Sequence, residues 1–306
     1  MISIVICHRD ADFLRKILKN VEDTIGVLYE LHIIDNSKGA YTIFEAYNLG
    51  VSKSKFDIIC FTHEDILFHT KNWGQFVVDH FKDDSIGMIG ICGGDAMPCV
   101  PAPWWNSKTQ NHHYFNNINT WKGKESYHQY SNPFKEEVSN VVLLDGAWFC
   151  ISKSLFEKVT FDTATFTGFH CYDSDISLQV LEYKRVVVVY NILLEHFSAG
   201  SINKDWAKSA ELLADKWQEK LPVIKRVQDK EIVNLYNYQS LLTYAYWIQE
   251  LHLRDKEIRK IIKKYLKKID PLNPFYKDSS LLYLWSIFGY NIARVLHKPF
   301  KLILKK

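Results

Sequence analysis

The sequence predicts an α/β protein: a mainly parallel sheet flanked by helices, followed by a helical C-terminal region. Three observations lead there. Over residues 2–92, short apolar runs rich in Ile and Val alternate with stretches of helical period, the rhythm of a parallel sheet with helical crossovers. Acids and histidines follow the apolar runs at once, at Asp35 and at His63-Glu64-Asp65, which is the carboxyl edge where ligands sit in such sheets. From about Asp205 the helical period runs to the end of the 306 residues. Two domains are expected, residues 1–204 and 205–306.

Residues 2–7 are apolar and barely alternate, as a strand buried on both faces requires. Asp10 then caps a helix whose apolar stripe is Phe13, Leu14, Ile17, Leu18 and Val21. A second strand, Leu31 to Ile34, ends at Asp35, and a helix over about 40–52 follows. The third strand runs from Asp57 to Thr62 and ends at the acidic cluster. A helix over 73–81 leads to a fourth strand, Ile86 to Cys92. Residues 93–140 break this rhythm: they are rich in Gly, Pro, Asn and aromatics, without a period, and read as a long functional loop. Strands resume at Val141–Leu144 and Ala147–Ile151, a helix opens at Tyr172, and strands follow at Val186–Tyr190 and Leu193–His196. Helices are expected over 205–220, 229–252 and 254–268, with Pro271 and Pro274 as punctuation.

An apolar fraction of 47% and a charged fraction of 24% are those of a globular protein with a core, which excludes a disordered chain. No run approaches the roughly 20 apolar residues that cross a bilayer, and no leader is read at the start. The six cysteines are scattered without a C-x-x-C spacing and read as reduced core thiols, so a cytoplasmic protein is expected. Charge is unevenly spread. Residues 251–306 hold 14 Lys and Arg against 4 Asp and Glu, a net of +10, while the first 250 hold 24 against 31, a net of −7. Such a tail attracts polyanions, nucleic acid or an anionic membrane surface.

Glu64 and Asp65 are hard oxygen ligands at a strand end, suited to Mg²⁺ or Mn²⁺ shared with phosphates, or they are a turn and a helix cap. Asp35 reads either as a partner for a base or ribose or as an Asx turn. Asp173 and Asp175 open a helix, where acids cap and a general base also stands well. His196 ends an apolar strand and is structural unless it shares a metal with Asp65.

The order of these pieces is more specific than any one of them. The chain resembles the inverting GT-A glycosyltransferases of family 2, in particular a bacterial branch. The matching pieces are Ile2–Cys7, Ile33–Ser37, Ala46–Gly50, Phe61–Asp65, Trp104-Trp105, Asp145–Trp148, Phe169–Asp175 and His196–Ser201, over roughly residues 1–220. The resemblance implies a GT-A nucleotide-sugar-binding and catalytic domain that uses Mn²⁺ or Mg²⁺. Cys7, His8, Arg9 and Asp35 would then hold the base, and Asn48 would lie beside the nucleotide, with Glu64 in a supporting role. Asp65 and His196 would bind the metal, Asp145 and Gly146 would line the sugar and acceptor site, Asp173 would be the base, and Asp175 would position its helix or the acceptor. His63 departs from the family's D-x-D and weakens the contact expected at that position.

The activity implied is transfer of a hexosyl-type sugar from a nucleotide-sugar, a UDP-sugar first, to a glycan or lipid-linked acceptor, as in cell-surface polysaccharide biosynthesis. Trp104 and Trp105, with the other aromatics of 93–140, offer flat faces to acceptor sugars. A non-catalytic glycan- or partner-binding protein and a nucleotidyltransferase are the competing classes, and the glycine-free segment Cys7–Asp10 speaks against the latter. For the C-terminal helices the expectations are a solvated bundle, self-association, or peripheral attachment to the inner face of an anionic membrane, and not nucleic acid. The basic face considered is Lys256 to Lys268, and Trp285, Phe288, Tyr290, Leu296, Phe300 and Ile303 are the apolar partners of Arg294, Lys298, Lys301, Lys305 and Lys306.

Overall fold

A computed structural model of the chain describes residues 1–105, 112–121, 123–198, 200–227, 229–269 and 277–303. Ala199, Pro271, Pro274, Lys305 and Lys306, and the side chains of Lys298, Phe300, Lys301 and Ile303, lie outside the described residues. The chain forms two units, Met1–Asp95 with Asn111–Ser201, and Ala96–Gln110 with Ile202–Lys306.

The first unit opens with β1 (Ile2–His8), α1 (Ala11–Thr24), β2 (Tyr29–Asp35), α2 (Ile43–Lys53), β3 (Ile58–Thr62), β4 (Ile66–Phe68), α3 (Trp73–His80), β5 (Ile86–Gly90) and β6 (Cys92–Gly94). After β7 (Ala96–Met97), which belongs to the second unit, come β8 (His113–Asn119), β9 (Tyr127–Ser131), β10 (Val138–Val141), β11 (Leu143–Leu144) and β12 (Trp148–Ser152). The unit ends with α4 (Tyr172–Leu181), β13 (Arg185–Val189) and β14 (Leu194–His196). The helix starts follow from local chemistry. Asp10 accepts from the N–H groups of Asp12 and Phe13 at the head of α1, and Thr42 and Glu45 close a capping box on α2.

The architecture is α/β, but its sheets are mixed rather than mainly parallel. The seven-stranded sheet runs β10-β13-β5-β12-β3-β1-β2. β1 lies parallel to β2 and β3, and β13 parallel to β5, whereas β12 is antiparallel to both β3 and β5. Three residues, Asp145 to Ala147, link β12 to β11 of the other sheet. β12 starts where β3 ends, with Trp148 opposite Thr62.

Residues 93–140 are not a loop throughout. β8 pairs antiparallel with β6 and β9 in a six-stranded sheet that also holds β11, β14 and β4. Asparagines are rare in strands, and β8 buries three of them. Asn116 donates to the carbonyls of Tyr190 and Ile192 at 2.8 and 2.9 Å, and Asn117 donates to Asn119 at 2.9 Å. Their amides are thus satisfied inside, which removes the penalty for burying them.

An aromatic cluster fills one side of the large sheet. Tyr47 on α2 packs on Phe61, Phe161 and Tyr172 at centroid distances of 4.9 to 5.5 Å. Phe61 and Phe149 are fully buried, each contributing about 2–3 kcal/mol by area. In the second unit, α5 (Lys204–Lys216), β15 (Val223–Ile224), α6 (Lys230–Glu250), α7 (Asp255–Leu266), α8 (Lys277–Phe288) and α9 (Tyr290–Ile303) follow one another. β15 pairs with β7, and Asn237 of α6 accepts from the Cys99 N–H at 3.0 Å. These contacts tie Ala96 to Cys99 to this unit, although the sequence assigned the segment to the first domain. Among the described residues no helix is long and apolar enough to cross a membrane.

Candidate active site

The two sheets of the first unit meet at His63-Glu64-Asp65. β3 ends the large sheet at Thr62, the next three residues step across, and β4 begins the second sheet at Ile66. β14 runs antiparallel to β4 with His196 opposite Ile66, and the Phe197 N–H donates to the Asp65 carbonyl at 3.0 Å. The His63 N–H donates to the Ala147 carbonyl at 3.0 Å, which brings the turn before β12 to the same place. Strand register therefore sets His63, Asp65, Asp145, Gly146 and His196 around one point.

Ligand-type atoms of His63, Asp65 and His196 lie within 4.8 Å of one another. His63 Nδ1 stands 3.8 Å and His196 Nε2 3.5 Å from Asp65 Oδ1. The Tyr172 hydroxyl lies 3.0 Å from the Gly146 carbonyl and 2.6 Å from His63 Nε2. Nδ1 faces Asp65, and a ring protonated on Nε2 would present Nδ1 as a metal ligand. Burial and the neighbouring His196 push the His63 pKa down, which keeps the ring neutral. Burial works against a charged His196, but Asp65 outweighs it and raises that pKa. Asp65 is pushed up by burial and pulled below the usual carboxylate range by His196 and His63.

Nε2 of His196 is buried and has no hydrogen-bond partner of proper geometry. An orphaned ring nitrogen facing a carboxylate and a second bare imidazole nitrogen fits a divalent cation. Two nitrogens and one oxygen suit Mn²⁺ better than Mg²⁺, which prefers an all-oxygen octahedron. His63, which the sequence marks as the failing position of the D-x-D, belongs to this donor set by geometry. Its signal was the two-residue spacing to Asp65, which puts alternate side chains of an extended segment on one side.

Tyr172 and Asp173 are adjacent in the first turn of α4, so the residue that bonds His63 abuts the candidate base. Gly146 makes this possible, since a Cβ there would collide with the Tyr172 hydroxyl. Burial, then the charge of Asp145, raise the Asp173 pKa to about 7, while hydrogen bonds from Ser174 and Gly146 pull the other way. A carboxylate poised near neutrality is suited to accept a proton. Tyr172 lies inside a motif read from the sequence but was given no role there. That role depends on Gly146, 26 residues away.

The remaining candidates fall in different surroundings. His8 and Asp35 face each other across β1 and β2, with His8 Nε2 3.8 Å from Asp35 and His8 Nδ1 buried without a partner. Asp35 also accepts from the Ser37 N–H at 2.9 Å, so the Asx turn is present, and the hydrogen bonds from Ser37 lower its pKa. Burial raises the Cys7 pKa. The Glu64 carboxylate accepts from the N–H groups of Arg9 and Asp10, tying the cluster to the head of α1. Asn48 is bonded through both ends of its amide to Thr160 and Phe161. Asp175 is buried and accepts from Gln179 at 2.8 Å. Trp104 and Trp105 belong to the second unit, where Trp105 meets Trp247 edge-on at 6.0 Å.

The mixed α/β sheet carries an acid–imidazole cluster and a poised carboxylate at its edge. The chain belongs to the family described as "Glycosyltransferase like family", whose model matches residues 3–243. It is 22% identical over 173 residues to the streptomycin biosynthesis protein StrF of Streptomyces griseus, a match taking in 54% of this chain and 57% of that protein. Its fold is similar to that of S. aureus TarS 1–349, with a TM-score of 0.58 at 9% identity, over 98% of this chain and 91% of that one. It is also similar to GalNAc-T7, solved with UDP, GalNAc and Mn²⁺, with a TM-score of 0.50 at 11% identity. That likeness covers 87% of this chain and 54% of GalNAc-T7.

Proposed function

We propose that this chain is an inverting glycosyltransferase that moves a hexosyl-type sugar from a UDP-sugar to a hydroxyl of a glycan or lipid-linked acceptor, with Mn²⁺ at His63, Asp65 and His196. One observation carries the reading: two imidazoles, one of them orphaned, and a carboxylate converge, one hydrogen bond from the residue next to Asp173. The UDP and Mn²⁺ bound by GalNAc-T7 support the same donor base and ion for this chain.

In this mechanism the ionised Asp173 accepts the proton of the acceptor hydroxyl. The hydroxyl oxygen forms its bond to the anomeric carbon from the face opposite the diphosphate. The bond from that carbon to the diphosphate oxygen breaks, and its electron pair leaves with UDP. A divalent ion in the cluster supplies neutralisation of the charge gathering on the leaving group. Inversion turns an α-linked donor into a β-linked product. Glu64 and the N–H groups it binds hold the head of α1 beside the cluster, and His8 and Asp35 stand at the same edge for the nucleoside.

Calorimetric titration of the protein with UDP-, GDP- and dTDP-sugars, with and without Mn²⁺, tests this. Binding of one donor class that needs Mn²⁺ is the expected outcome. Absence of metal-dependent binding by every nucleotide would sink the proposal.

A further inference from the structure

The catalytic reading leaves the strongest charge feature of the chain unused. On α7, Lys256, Lys260 and Lys263, and Lys267 at its C-cap, are spaced by four, three and four residues, so they fall in one stripe along the helix. All four are exposed. Among the described residues no acid pairs with any of them, whereas Lys264 and Lys268 on the flank both bind Asp215. The opposite face carries buried Ile258, Ile262 and Tyr265. α7 is therefore fixed in rotation by its core face, and its lysine stripe is held outward.

Beside the stripe stands an apolar surface that is exposed among the described residues. Arg259, one turn from Lys256 and Lys263, donates to the carbonyls of Ser286 and Ile287, which seats the end of α8 against α7. Ile287 and Phe288 at that end are 51% and 46% exposed. The chain turns at Gly289, with φ +82°, and Asp255 of α7 faces this turn, 3.4 Å from the Tyr290 N–H. α9 then presents Ile292, Val295 and Leu296, which are 40–60% exposed and share one helix face by their spacing. Exposed Leu, Ile and Phe singly mean little, but five within a two-helix hairpin beside four lysines that form no ion pair among the described residues are not scattered.

We propose that α7, α8 and α9 form a docking surface for an anionic lipid bilayer, lying flat on the headgroups with Ile287, Phe288 and the α9 face entering the acyl boundary. Lysines alone suit any polyanion, including nucleic acid, whose phosphates ask for charge and not for apolar side chains. The combination of a basic stripe with adjoining exposed apolar residues is that of an interfacial amphipathic element. The proposal is independent of the catalytic reading.

Flotation of the full-length protein with phosphatidylcholine vesicles, with and without phosphatidylglycerol, tests it at physiological salt. The wild type should float with the anionic vesicles only. Replacing Lys256, Lys260, Lys263 and Lys267 by Gln should weaken partitioning by roughly fivefold per lysine. Ile292→Ser with Val295→Ser should leave binding at low salt but release the protein as salt rises, where the wild type stays bound. Circular dichroism melting of each variant verifies that it is folded, which these exposed positions allow. Failure of the wild type to float with anionic vesicles overturns the proposal, as does undiminished flotation of the lysine variant. Lysine-dependent binding to duplex DNA without vesicle binding assigns the surface to nucleic acid and equally overturns it. Unchanged salt resistance of the serine variant overturns the apolar half.

Discussion

At the sheet edge, His63, Asp65 and His196 bring ligand-type atoms within 4.8 Å of one another, whereas on α7 four exposed lysines form no ion pair among the described residues. Both places concentrate charge, and they use it at different ranges. At the edge each group's protonation is set by a neighbour a few ångströms away and partly out of water, where salt screens weakly. On α7 no pair matters, and the field of the whole stripe acts over a Debye length of about 8 Å at physiological salt. Substitutions at the edge should therefore act nearly all-or-none and resist salt, while those on α7 should be graded and salt-sensitive.

The largest effect should come from Asp173→Asn, which keeps shape and removes the proton acceptor. Transfer should fall by about 10²–10⁴-fold with donor binding kept, measured by product formation and calorimetry. The pH dependence follows from a pKa of about 7. Transfer by the wild type should decline by about tenfold per unit below neutrality, as the base is protonated. Stability should move the other way. The folded Asp173 keeps its proton where the unfolded chain has released it, so stability falls as pH rises from about 4 to about 7. Asp173→Asn should accordingly melt higher than the wild type at alkaline pH and lose this advantage in acid, by differential scanning calorimetry. A variant with unchanged transfer would remove Asp173 from the mechanism.

A smaller, more diagnostic effect is expected from Tyr172→Phe. It removes the hydroxyl that bonds His63 Nε2, and the ring is then free to present either tautomer. Mn²⁺ affinity should drop by about 10–100-fold, the usual cost of losing such a supporting hydrogen bond. The fold should hold, because the aromatic ring and its packing on Tyr47 remain. Unchanged Mn²⁺ affinity would mean that Tyr172 only packs.

Much of this arrangement is legible in the sequence, for identifiable reasons. β1 and β3 are read correctly because strands buried on both faces need continuous apolar runs, and Asp10 caps its helix as its side chain dictates. The direction of β12 is not legible, since a strand's composition carries no orientation. β8 is missed because Asn116, Asn117 and Asn119 look like turn residues until their partners are known. At the edge, Asp65, His196 and Asp173 are visible as acids and a histidine at element ends, and the neighbours the structure adds are His63 and Tyr172. Their contribution is relational: it rests on where a proton goes among Gly146, Tyr172 and His63, and no single residue encodes that.

The comparison turns on whether the three edge side chains hold one metal ion together. Pulsed electron paramagnetic resonance of Mn²⁺ bound to the protein tests this directly, because imidazole nitrogen couplings report the ligands themselves. Coupling to two imidazoles is expected, with one lost in His63→Ala, the other lost in His196→Ala, and Mn²⁺ binding abolished in Asp65→Ala. Bound Mn²⁺ without nitrogen coupling, or with an unchanged spectrum and affinity in all three variants, would contradict the account.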